Sequence, residues 1–202
     1  MVDVVGHGGP FDRDPERARN LPPGPAMCKV RPMTTGQMRG YFGVGVDTIS
    51  KAGNVGALMR TSHAFGASFM FLVSPAVDWR EIVNVDTSDA AGHLPVWEFP
   101  SPAAVDLPKG CAMVGVELTD DAIDLPSFRH PTRAAYVLGP EKGSLSPEMI
   151  ARCDFVVKIP TKFCVNVGLA GALVMYDRMI CLGRYAERPV RTGGPVRAVR
   201  RE

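Results

Sequence analysis

The sequence predicts an α/β domain: a mostly parallel sheet flanked by helices. Three observations carry this expectation. Several segments are apolar throughout, as strands buried on both faces are, most clearly Phe69–Val73 (FMFLV) and Ala134–Leu138 (AAYVL). These segments alternate with stretches of helical pattern. Two polar junctions, Gly139–Gly143 and the one at Asn166, follow strand-like runs, at the strand ends where open α/β sheets hold ligands.

In chain order, residues 1–30 are rich in Gly, Pro and mixed charge without periodicity, so they read as a disordered tail. Residues 31–188 form the economical single domain, and 189–202 a basic C-terminal tail. Tyr41–Val46 reads as a strand. Gly53-Asn54 then opens a helix that closes at Gly66, with Asn54 as its N-cap. Phe69–Val73 follows as a strand, and 78–92 is polar and ambiguous. Pro95–Phe99 reads as a short strand, Ser101–Asp106 as a helical turn and Cys111–Val116 as a strand. Residues 117–133 read as an acidic, proline-containing connection. After Ala134–Leu138 comes the glycine-bracketed loop, in which Gly139 and Gly143 allow close approach or positive φ. Ser146-Pro147 reads as an N-cap with proline at the first helical position. A strand (FVVKIP) and a long helix opening at Asn166 complete the domain. That helix is apolar nearly all round until Asp177, so it is expected to be buried on several sides, in part by a second subunit.

Composition narrows the classes. With 202 residues, 46% apolar and 22% charged, the chain can bury a core without disulfides. Its five cysteines are odd in number and include no C-x-x-C pair, which argues against a disulfide framework or a zinc site and for a reducing cytosol. The longest apolar run, Cys164–Met175, is too short to span a bilayer, and the N-terminus lacks a signal-peptide core. Net charge is only +2, but Arg184, Arg188, Arg191, Arg197, Arg200 and Arg201 crowd the C-terminal end. Such a tail suits either a phosphate backbone or plain solvation.

Two sites stand out. Projected at 100° per residue, Val55, Leu58 and Phe65 face the core and Arg60 lies opposite. Around Arg60 fall Gly53, Gly56, Ala57, His63, Ala64 and Ala67, a clearing that a bulky partner could enter. The loop around Glu141 reads either as a plain connection or as a ligand loop. It is not a nucleotide P-loop, since no G-x-x-x-x-G-K-[ST] spacing occurs.

Three segments together resemble the SpoU/TrmH branch of the SPOUT RNA methyltransferases. They are Asn54-Val55-Gly56-Ala57-Leu58-Met59-Arg60-Thr61 with Phe65-Gly66; Leu138-Gly139-Pro140-Glu141-Lys142-Gly143-Ser144-Leu145, continuing to Cys153-Asp154 and Ile159-Pro160; and Val165-Asn166-Val167 leading into the small-residue helix. The resemblance spans residues 40–185. It implies a C-terminal trefoil knot that binds S-adenosylmethionine, a homodimer with sites near the interface, and 2′-O-methylation of a ribose in tRNA or rRNA. Methylation of a base nitrogen, or a noncatalytic knotted RNA-binding protein, are the alternatives. Carried over, Asn54, Arg60, Glu141 and Asn166 take the polar catalytic positions. Leu138, Gly139, Ile159 and Val165 take cofactor positions, with Glu117 near another. No metal and no membrane are implied. Cys164 and Gly168 stand where the family commonly has serine, and the link from Pro160 to Asn166 is shorter than usual.

Overall fold

The structure is a computed structural model and describes residues 40–85, 90–185 and Thr192. The expected tails, 1–30 and, apart from Thr192, 189–202, lie outside the described residues. Seven strands form one sheet in the order β3-β2-β1-β6-β4-β7-β5. They are β1 (Tyr41–Asp47), β2 (Phe69–Val73), β3 (Val96–Phe99), β4 (Ala112–Val116), β5 (Ile123–Asp124), β6 (Arg133–Leu138) and β7 (Phe155–Lys158). Every pairing is parallel. The helices are α1 (Ala52–Ala64), α2 (Trp79–Val85), α3 (Ala90–His93), α4 (Pro147–Arg152) and α5 (Val167–Leu182).

The alternation along β1 explains how the sheet is covered. Phe42, Val44 and Val46 enter the larger core with Leu58, Val174 and Met175 of α1 and α5. Gly43 and Gly45 face the other side, where the rings of Phe69 and Phe71 fold across them. A Cβ at Gly43 would lie 2.1 Å from Phe69 Cε2, and one at Gly45 2.2 Å from Phe71 Cζ. The glycines of YFGVGV thus make room for aromatic rings from the neighbouring strand. That second core also holds Leu145 and Met149 of the α4 region.

Several boundaries differ from expectation. Helix α1 begins two residues early, at Ala52, with Lys51 at the N-cap and no side-chain cap. Asn54 is therefore not the cap but the third helical residue, and its amide is free to reach outward. Gly66, with φ +77°, does follow the end of the helix. The ambiguous stretch holds α2 and α3, and the supposed connection 117–133 holds β5 and a 3-10 turn, Leu125–Ser127. A two-residue edge strand leaves almost no period to read. Ser146 caps α4 as expected, its Oγ accepting from the Met149 N–H at 3.2 Å.

Helix α5 departs in a different way. It crosses α1 closely, since a Cβ at Gly171 would meet Leu58 Cδ1 at 2.4 Å. Its other side, Leu169, Leu173, Tyr176 and Ile180, is exposed in the single chain. Near its end Arg178 is 1% exposed. The guanidinium donates to the carbonyls of Pro131, Thr132 and Tyr41 and to the Tyr136 hydroxyl, and lies 5.2 Å from the Phe42 ring centroid.

Candidate active site

The loop after β6 folds back beneath its own strand. Gly139 has no unusual φ; what it needs is space, because a Cβ there would lie 3.0 Å from the Leu145 nitrogen. Gly143 is the residue with positive φ, +104°. Three carboxylates hold this loop. Asp47, 1% exposed, accepts from the Ser146 N–H at 3.0 Å and the Ser146 hydroxyl at 2.7 Å. Glu117 Oε2 accepts from the Leu145 N–H at 2.6 Å, and Oε1 from the Leu118 N–H at 2.9 Å. Glu141 reaches the start of α1. Its Oε1 accepts from the Lys51 N–H at 3.0 Å and from Asn54 Nδ2 at 2.9 Å. Its Oε2 accepts from the Ser50 N–H at 3.3 Å and the Ser50 hydroxyl at 3.2 Å. Glu141 thus supplies the N-terminal cap that Lys51 lacks.

Burial works to raise the Glu141 pKa, but hydrogen bonds from Asn54, from its own backbone and from the Ser50 and Lys51 N–H groups outweigh it. The net shift is downward, so the carboxylate stays ionised and acts only as an acceptor. The chain of contacts continues. Asn166 Nδ2 donates to Asn54 Oδ1 at 3.1 Å, and Asn166 Oδ1 accepts from the Gly168 N–H at 2.9 Å, capping α5. Glu141, Asn54 and Asn166 therefore tie the starts of α1 and α5 to the loop after β6.

Beside this chain lies a cleft of about 720 Å³, counted to its open mouth. Leu138, Ile159, Val165, Val167 and Ala170 line it with apolar groups, and Glu117, Gly139, Glu141 and Asn166 with polar ones. The structure thus brings together all five expected cofactor residues, Leu138, Gly139, Ile159, Val165 and Glu117, with Glu141 and Asn166. Asn54 joins through its hydrogen bonds. Arg60 is exposed and does not line the cleft. It sits two turns along α1 from Asn54, three residues past Ala57, whose Cβ would lie 3.7 Å from a Cβ on Gly168. The clearing around Arg60 is smaller than the projection suggests, because Gly56 is buried in the packing of α1. Gly53 does open onto empty space.

The two serine positions differ in kind. A side chain at Gly168 would place its Cβ 3.2 Å from Asn166 Oδ1, so glycine there serves the cap and the crossing with α1. Cys164 lines the cleft and is exposed. Sequence reading missed Asp47 altogether. The available signal was an aspartate ending an otherwise apolar strand, where a buried charge needs partners.

Comparison with known proteins gives these features a family. The model of the SpoU rRNA Methylase family matches residues 42–176. A tRNA (guanosine(18)-2′-O)-methyltransferase of Mus musculus is 31% identical over 146 residues, 64% of this chain and 9% of that one. A 23S rRNA (uridine(2479)-2′-O)-methyltransferase of Streptomyces viridochromogenes is 27% identical over 164 residues, 74% of this chain and 56% of that one. The chain therefore spans a small part of the mouse protein and about half of the bacterial one. Among solved structures, the SpoU methyltransferase AviRb of Streptomyces viridochromogenes in complex with AdoMet superposes with a TM-score of 0.62 at 24% identity, covering 70% of this chain and 58% of that one. The α/β fold is shared with that enzyme, and the matched segment contains every motif residue from Asn54 to Asn166. The chain belongs to the SpoU rRNA methylase family.

Proposed function

We propose that this chain is an S-adenosylmethionine-dependent RNA methyltransferase acting on a ribose 2′-hydroxyl of tRNA or rRNA. The observation that carries the reading is the Glu141–Asn54–Asn166 chain beside an apolar cleft, which joins all three family motifs in one place. The relatives named as 2′-O-methyltransferases of tRNA and rRNA support it. The residues fit the cofactor. The backbone folded back at Gly139 offers polar main-chain groups, the apolar walls suit a purine, and the Glu117 carboxylate keeps lone pairs for hydroxyls.

S-adenosylmethionine supplies a methyl group on a sulfonium that is its own leaving group. Leu138, Gly139, Ile159 and Val165 hold and orient it, with Glu117 at the rim. Alignment is the largest contribution the protein makes, up to about 7–11 kcal/mol. Glu141 and Asn166 fix the loop and the helix start between which the reacting groups meet. Arg60 binds a phosphate next to the reacting ribose and stabilises the developing alkoxide by charge, while a phosphate oxygen or a water takes the hydroxyl proton, since a guanidinium that keeps its own proton is a poor base. The exposed stripe on α5 is the contact with a second copy, and the segment from β7 into α5 is the threaded part of a trefoil knot. Free cysteines at Cys111, Cys153, Cys164 and Cys181 support action in a reducing cytosol. Among the described residues, no helix is long and apolar enough to cross a membrane.

Transfer of labelled methyl to RNA, with nucleoside analysis of the product, tests the reading. A 2′-O-methylnucleoside is expected, and a methylated base would overturn the ribose assignment. Arg60→Ala abolishes transfer and leaves cofactor affinity near wild type in calorimetry. Arg60→Lys also fails, because lysine loses the planar fork. Loss of cofactor binding in Arg60→Ala would show that the role is wrong.

A further inference from the structure

The short link from β7 to α5 carries the most exposed large apolar side chain among the described residues, Phe163, at 76%. The ring stands on a held turn. Thr161 Oγ1 donates to the Phe163 carbonyl at 2.9 Å, and the Thr161 N–H donates to the Ile159 carbonyl at 2.7 Å. Thr161 and Cys164, on either side in sequence, both line the cleft, so Phe163 is carried at its rim. Exposed lysines stand next in sequence to residues that line the cleft. Lys162 is adjacent, Lys142 follows Glu141, and the Lys51 N–H is bound by Glu141; all three lysines are exposed. The carboxylates of the cleft, Glu117 and Glu141, are turned onto backbone N–H groups.

An exposed ring next to Lys162 at the cleft edge has two candidate occupants. A second copy suits it poorly. An isologous contact at this rim would set lysines of both copies against each other. The apolar stripe on α5, Leu169, Leu173, Tyr176 and Ile180, offers the better surface for self-association. A polyanion with unstacked bases suits it well, because single-stranded RNA is held by aromatic stacking beside cations that meet its backbone.

We propose that Phe163 is a stacking platform for an unpaired nucleobase of the RNA substrate next to the nucleotide that enters the cleft, with Lys162 on the adjoining phosphate. The proposal rests on the RNA methyl-transfer reading above. It belongs to this chain's own short link rather than to the family motifs.

The test compares Phe163→Ala and Phe163→Trp with wild type in the full chain. In the absence of cofactor, short single-stranded RNA is expected to quench the Phe163→Trp protein beyond any change in wild type, whose own tryptophans are Trp79 and Trp97. Phe163→Ala raises the KM for RNA about tenfold and leaves kcat and cofactor affinity within about twofold, and Phe163→Trp restores the KM. Unchanged RNA affinity in Phe163→Ala would overturn the proposal. So would a shift from dimer to monomer in sedimentation, which would assign the ring to a subunit contact. Quenching by RNA with no methyl transfer in wild type would remove the catalytic reading and leave the platform standing. Methyl transfer without quenching would do the reverse.

Discussion

At its first turn α5 is tied down by Asn166, which reaches Asn54 and through it Glu141. Twelve residues later, about 18 Å along the axis, it is tied down again by Asp177 and Arg178. The upper tie is open. Asn166 is exposed and Glu141 half-buried, and both line the cleft, where water or a ligand can reach them. The lower tie is closed. Arg178 Nη1 donates to the Tyr136 hydroxyl at 3.2 Å, that hydroxyl lies 2.6 Å from His130 Nδ1, and His130 Nε2 lies 3.0 Å from Asp177 Oδ2. Burial, partly countered by Arg178, raises Tyr136 to about 12, so the phenol keeps its proton and donates a hydrogen bond to His130 Nδ1. With Tyr136 donating to Nδ1, His130 carries its own proton on Nε2, facing the carboxylate. One helix thus has an end that is adjustable because water or a ligand can replace a partner, and an end whose central groups, Arg178, Tyr136 and His130, are buried, with Asp177 alone partly open to water.

The comparison predicts that stability sits in the lower tie. Arg178→Ala removes the donor shared by the Tyr136 hydroxyl and the carbonyls of Tyr41, Pro131 and Thr132 and opens the space over Phe42. The expected loss is about 3–5 kcal/mol in urea unfolding. Arg178→Met keeps the apolar stem and regains part of it. A loss below about 1 kcal/mol for the alanine variant would mean that the closed end is no more essential than the open one.

The open end should show the opposite balance. Glu141→Ala removes four hydrogen bonds, but water can replace them, so unfolding free energy falls by only about 1–2 kcal/mol. Methyl transfer falls about a hundredfold, because the loop after β6 and the start of α1 lose their common anchor. Glu141→Gln recovers little, since its amide places a donor against N–H groups that need an acceptor. Labelled-methyl transfer and urea titration on the same preparations give both numbers. A stability loss equal to that of Arg178→Ala would erase the distinction.

The same contrast explains what the sequence made legible. Strand and helix order could be read because β1, β2, β4 and β6 are long and apolar, and the Leu138–Leu145 and Val165–Val167 motifs were visible because their residues are adjacent in the chain. The cleft could be anticipated from them. The partner of Glu141 could not, because Ser50 and Lys51 contribute backbone N–H groups, which leave no mark on side-chain identity. The lower tie was invisible for another reason. Its members, Tyr41, His130, Tyr136, Asp177 and Arg178, come from four separate segments, and Arg178 at the end of an apolar helix looks like an ordinary terminal cation. Arg60 marks the limit on the other side: a motif residue that the single chain leaves outside the cleft its motif partners build.

The smallest expected effect is the pH dependence of the closed end. His130 is buried beneath Phe128, with Tyr136 from β6 and Asp177 and Arg178 from α5 facing it. Burial lowers its pKa most; the hydrogen bond and charge of Asp177 raise it, and Arg178 lowers it, leaving a net depression. The unfolded chain takes up the proton near pH 6.5, whereas the folded chain resists until a lower pH. Below about 6.5 the unfolded state therefore binds more protons, and stability falls as pH drops from there to the folded value. Above 6.5 this contribution is constant. Urea midpoints of wild type and His130→Gln between pH 8 and 5 isolate it, because the exposed His63 and His93 remain in both proteins. Wild type is expected to lose stability more steeply across the acid half of that range. Parallel curves would show that His130 sheds or gains its proton as freely folded as unfolded, and that the lower end of α5 is as open to water as the upper.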